Sequence, residues 1–187
     1  MARVTVTPEQ FSMVKFEHDR IVELAGQVAD TVGIPADREL RIEVDEGNPL
    51  GRVRVTSLDP ITMTVEGGAF EDAKRPRSLS DTSVIDVLGR HLFRVLDRLN
   101  PAFGDPPEDA KLTLQQAAAW DTYAVGRCER AGFAPSKPRR LYHFRNRHGF
   151  TDIADEVFAE LWNADGLTWA DIDAACARTE AARQPVG

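Results

Sequence analysis

The stretch Glu39-Leu40-Arg41-Ile42-Glu43-Val44-Asp45 decides the fold. Leu40, Ile42 and Val44 take alternate positions, and Glu39, Arg41, Glu43 and Asp45 fill the places between. Successive side chains of a strand point to opposite faces, so this segment presents one apolar and one charged face. The same period recurs twice downstream. Val53 and Val55 alternate with Arg52, Arg54 and Thr56, and Ile61, Met63 and Val65 alternate with Thr62, Thr64 and Glu66. A dry face and a wet face predict an antiparallel sheet solvated on one side. The connectors Glu46-Gly47-Asn48-Pro49-Leu50-Gly51 and Leu58-Asp59-Pro60 are rich in turn formers. The expected arrangement is a three-stranded antiparallel meander, with Arg52 and Arg54 as cross-strand partners for Glu43, Asp45 and Glu46.

The flanking segments complete an α+β reading. Residues 3–7 alternate and predict a short N-terminal strand that Pro8 stops, with an edge open to a second copy. Apolar positions from Phe16 to Val32 recur at helical spacing, and Gly33 and Pro35 follow as a stop. Residues 67–79 read as a linker carrying Lys74, Arg75 and Arg77. A second helix begins at a Ser80 or Asp81 cap and carries Val84, Leu88, Leu92, Val95 and Leu99 on one stripe. Residues 102–109, with Gly104, Pro106 and Pro107, mark a boundary. It separates an αβββα unit (1–101), two helices packed on the meander, from a helical C-terminal part (110–184), unless the two merge into one compact domain. In that second part the pattern predicts helices over 112–130, 151–162 and 168–182, with a Pro-rich basic stretch over 135–148.

Composition narrows the class further. The 187 residues are 42% apolar and 28% charged, which excludes a disordered or collagen-like chain. No run approaches the ~18 apolar residues of a membrane-spanning helix, and residues 1–7 lack a secretory signal. The two cysteines, Cys128 and Cys176, stand apart without metal-ligand spacing and read as buried thiols in a reducing cytoplasm. The net charge of −7 argues against a general nucleic-acid binder unless basic residues cluster locally.

They do cluster. Between Ala131 and Thr151 there is no Asp or Glu, whereas Lys137, Arg139, Arg140, Arg145 and Arg147 stand with His143 and His148. Tyr142, Phe144 and Phe150 are interleaved. Removing these five charges from the net −7 leaves −12 on the remaining chain. Arginine suits carboxylate and phosphate recognition, and aromatic rings supply stacking or anchoring surfaces. Lys74, Arg75 and Arg77 repeat the arrangement on a smaller scale before a helix start, so two basic loops that each deliver a helix N-terminus would build one phosphate or carboxylate site if folding brings them together. The opposing expectation is that the arginines pair with the chain's own carboxylates.

Other constellations carry less. His91 sits on the edge of an apolar stripe and reads as a packed core group, and His18 as exposed. His148, Asp152 and Glu156 would align for a metal only if a helix ran back through Gly149, which Thr151 as a cap argues against. Gly67-Gly68 lacks the spacing and Lys of a phosphate loop. The serines lack a nucleophile-elbow context, and there is no HExxH. Trp120, Trp162 and Trp169 read as core of the helical part. The last helix carries too many acids to read DNA.

The expected function is a non-catalytic binding module that needs no cofactor or metal and contacts an acidic protein or an anionic small molecule through residues 137–148. Two rivals remain. One is an enzyme holding a phosphorylated or carboxylated metabolite with both basic segments, His91 or His143 acting as acid or base. The other is binding to nucleic-acid backbone.

Overall fold

The computed structural model describes residues 2–183. The chain is α+β and divides into two compact units, Met1–Val95 and Leu96–Gly187.

The first unit holds β1 (Arg3–Thr7), α1 (His18–Val32), β2 (Glu39–Asp45), β3 (Val53–Leu58), β4 (Ile61–Glu66), the short pair β5 (Glu71–Asp72) and β6 (Arg75–Leu79), and most of α2 (Asp81–Leu99). The four long strands form one sheet in the order β1-β2-β4-β3. β1 and β4 run parallel to β2, and only β3 is antiparallel to its neighbour β4. The expected meander is therefore wrong in its strand order. β4, not β3, lies beside β2. Alternation specifies which face each side chain takes but is silent on which strand lies next to which. The connection from Glu46 to Arg52 is long enough to step over one strand position, about 10 Å at the usual interstrand spacing. The β3–β4 hairpin itself stands as expected, Leu58 facing Ile61 across Asp59-Pro60. The reordering also removes the anticipated Arg52–Glu43 pairing. Arg52 instead meets Glu66 of β4, its amide donating to Oε2 at 2.8 Å.

The dry face holds Leu40, Ile42, Ile61, Met63 and Val65, all buried. α1 covers it with Ile21, Leu24, Ala25 and Val28, and stops at Gly33, whose φ of 91° is left-handed. Residues 8–17 are pinned by Glu46, whose carboxylate accepts from the amides of Ser12 (2.8 Å) and Met13 (2.6 Å). These backbone donors hold the Glu46 carboxyl below the usual range.

The second unit is helical: α3 (Leu114–Arg130), α4 (Lys137–His148), α5 (Asp152–Asn163) and α6 (Trp169–Arg183). Its core gathers Trp120, Tyr123, Phe144, Phe158, Leu161 and Trp162. α3 and α5 approach so closely that a Cβ on Gly126 would lie 1.9 Å from the carbonyl oxygen of Trp162. Thr113 with Gln116 and Thr168 with Asp171 cap their helices reciprocally.

The Pro-rich stretch is the second correction. Residues 137–148 form a helix and not a loop. Ser136 accepts from the Arg139 amide as N-cap, and Pro138 falls in the first turn, where its missing N–H is not needed. No helix among the described residues is long and apolar enough to cross a membrane.

Candidate functional site

α4 sorts the basic-aromatic residues by helical geometry. Leu141, Phe144 and His148 fall on one stripe and pack inward. Phe144, read from sequence as a possible anchor for a partner, is fully buried; it stacks on His148 at 4.0 Å and meets Phe158 edge-on at 5.6 Å. His148 is buried as well. Its Nε2–H donates to the Gln115 carbonyl at 2.9 Å, and Nδ1 lies 2.7 Å from the Thr179 hydroxyl, which also reaches the Cys176 carbonyl at 2.9 Å. Burial pushes its pKa down, the Gln115 bond opposing. Gly149 separates it from α5, whose N-cap is Thr151, so His148 does not align with Asp152 and Glu156.

Two of the arginines are engaged by the chain's own acids. Arg145 grips Asp155 with two bonds of 2.8 and 2.6 Å, which holds the Asp155 carboxyl below its ordinary value. Arg140 lies 3.9 Å from Asp121. Lys137 sits over the Trp162 ring, its Nζ 5.1 Å from the centroid.

The remaining residues face solvent in two adjacent rows. Arg139, His143 and Arg147 follow one another at intervals of four, as do Tyr142, Asn146 and Phe150. Tyr142 is 60% exposed and Phe150 66%, although both are large apolar groups. Their rings meet edge-on at 6.4 Å, so Phe150 folds back over the last turn of α4. The guanidinium groups of Arg139 and Arg147 make no ion pair among the described residues. Sequence reading placed Phe150 among the aromatics of the run but not in the site; its exposure beside Tyr142 brings it in.

Lys74, Arg75 and Arg77 belong to the other unit and form no loop leading into a helix. They lie on or beside the β5–β6 hairpin, where Arg75 bonds Asp72 at 3.0 Å and Arg77 holds a positive φ of 62°. The expectation of paired basic loops is not met by either segment.

A polar cluster in the second unit escaped sequence reading. Asp97, buried near the end of α2, accepts from Trp120 Nε1 at 2.7 Å and from both terminal nitrogens of Arg127 at 2.7 and 2.6 Å. Arg98 bonds Asp109 and the Pro107 carbonyl, and lies over the Trp120 ring. Both Asp97 oxygens are taken by protein donors, so this cluster holds the fold together. His91 is buried as expected, its Nδ1 donating to the Val87 carbonyl at 2.8 Å. His18 is partly buried rather than exposed, bonded to the Val6 carbonyl. Cys128 is buried and Cys176 partly so, and burial pushes the Cys176 thiol up to about 12, which leaves it unreactive. Among the described residues, no group of three or more His, Cys, Asp or Glu is placed to hold a metal ion.

No protein-family model, curated protein or solved structure matches the chain.

Proposed function

We propose that the protein is a non-catalytic interaction module whose outward α4 face captures a short acidic segment of a partner protein. The supporting observation is the exposure of Tyr142 and Phe150 beside Arg139 and Arg147. Large apolar side chains left in water carry a hydration cost that docking relieves, and aromatic and Arg side chains dominate the energetics of such contacts. The charge balance favours a short acidic segment over a long polyanion. α4 spans about 18 Å, and α5 and α6 of the same unit carry Asp152, Glu156, Glu160, Asp173 and Glu180. A nucleic acid long enough to run beyond α4 comes under the field of a unit that carries these acids. A peptide with two or three acids does not. The reading places the chain in the cytoplasm, in keeping with two free thiols.

The test is selection from a displayed library of random peptides. Enrichment of sequences with Asp or Glu flanking an apolar residue is expected. Capture should fall by more than roughly tenfold for the Arg139→Glu/Arg147→Glu and Tyr142→Ala/Phe150→Ala variants. Arg145→Ala should capture as the parent does. A selection without enrichment, or one indifferent to these variants, refutes the reading.

A further inference from the structure

The wet face of the four-stranded sheet carries a second feature, independent of α4. Parallel strand pairs are ordinarily covered on both faces, yet here Thr5, Thr7, Arg41, Glu43, Asp45, Arg54 and Thr56 are all exposed. The register sets Thr7 opposite Glu43, Glu43 opposite Thr64, and Thr64 opposite Arg54, which makes one continuous row across β1, β2, β4 and β3. Short Thr64 lies between two long side chains of opposite charge. The result is a concavity of about 570 Å³, lined by this row together with Asp45, Arg52 and Glu66.

Internal bonds occupy most of the charges around it. Glu66 accepts from the Arg52 amide and lies 3.9 Å from its guanidinium. Asp45 accepts from the Gly47 amide at 3.1 Å. Arg41 is held by both oxygens of Glu39 at 3.1 Å and adds only a longer-range attraction to Glu43. Glu43 and Arg54 are left with no ion pair or hydrogen bond of their side chains among the described residues. The acids are not grouped to hold a metal ion, and a cation alone would leave Arg54 unanswered.

We propose that this hollow binds a short zwitterion of dipeptide length, its ammonium on Glu43 and its carboxylate on Arg54. The Glu43 and Arg54 backbones stand two interstrand steps, about 10 Å, apart, with Thr64 between them. A dipeptide separates its ammonium and carboxylate by about 5–6 Å. With a charge-assisted bond of roughly 2.8 Å at each end it bridges the two side chains. Its peptide group then lies over Thr64, whose hydroxyl is able to donate or accept.

Amide spectra of the full chain, titrated with L-alanyl-L-alanine, test this. Saturable shifts at Thr7, Glu43, Thr64 and Arg54 are expected at millimolar peptide. The N-acetyl dipeptide and the dipeptide amide, each lacking one charge, should bind roughly tenfold more weakly or worse. Glu43→Gln and Arg54→Gln should each lose a similar factor with their remaining spectra unchanged; both residues are exposed, and either variant reads the face if the other misfolds. No shifts at this row, equal binding of the capped forms, or undiminished binding by a folded variant overturns the proposal.

Discussion

Gly126 and Asp97 show how single side chains set the tolerance of the second unit. A methyl group at Gly126 would overlap the Trp162 carbonyl, and backbone cannot yield as a flexible side chain does. Gly126→Ala should therefore cost about 3 kcal/mol or more despite alanine's better helix propensity. Denaturant unfolding reads this directly, and an unchanged midpoint would show that α3 and α5 do not meet at that point. Asp97→Asn should cost a similar amount, about 3 kcal/mol, because it withdraws the buried carboxylate from the partly buried Arg127 guanidinium. The same assay checks it. Neither position announces itself in sequence. Gly126 lies within an otherwise ordinary helical pattern, and Asp97 reads as one more charge near a helix end until Trp120 and Arg127 close around it.

At the scale of elements, periodicity was the readable signal and adjacency was not. The Phe16–Val32 spacing, the Gly33 stop and the Thr151 cap all lie where residue patterns put them. Each strand of the sheet was legible from its alternation, but the insertion of β4 between β2 and β3 was not, because a period of two is satisfied by either order. α4 was hidden for a different reason. Only Leu141, Phe144 and His148 mark its buried stripe, one of them a histidine, and Pro138 reads as a breaker unless Ser136 is recognised as the cap ahead of it. Once the helix is known, the five basic residues cease to be equivalent. Charge reversal at Arg145 should break the Asp155 pair and leave peptide capture intact, whereas reversal at Arg139 and Arg147 should abolish capture and leave the circular-dichroism melt unchanged. Loss of capture from the Arg145 variant alone would put the working surface on the wrong side of α4.

For the whole molecule, acid sensitivity should carry the mark of His148. Its folded pKa lies below the ordinary 6.5 because burial disfavours the imidazolium. Above pH 6.5 neither state binds the proton and the group contributes nothing to pH dependence. As pH falls from about 6.5 through the folded value, the unfolded chain takes up the proton first, and stability is lost. Glu180 and Arg183 of α6 act on the ring from opposite signs, Arg183 reinforcing the depression. Unfolding midpoints between pH 7 and 5 should fall for the parent chain and fall less for His148→Gln. Identical slopes would mean that the ring is solvated. A separate loss is expected below the carboxylate range, where Glu46 and Asp155 give up their donors.

The claim that the outward face of α4 is the working surface is tested most directly by mapping a selected acidic peptide onto the amide spectrum of the intact chain. Shifts centred on Arg139, Tyr142, His143, Arg147 and Phe150 are expected, with Leu141, Phe144 and the β-sheet unmoved. Shifts that gather elsewhere and spare these five residues would contradict it.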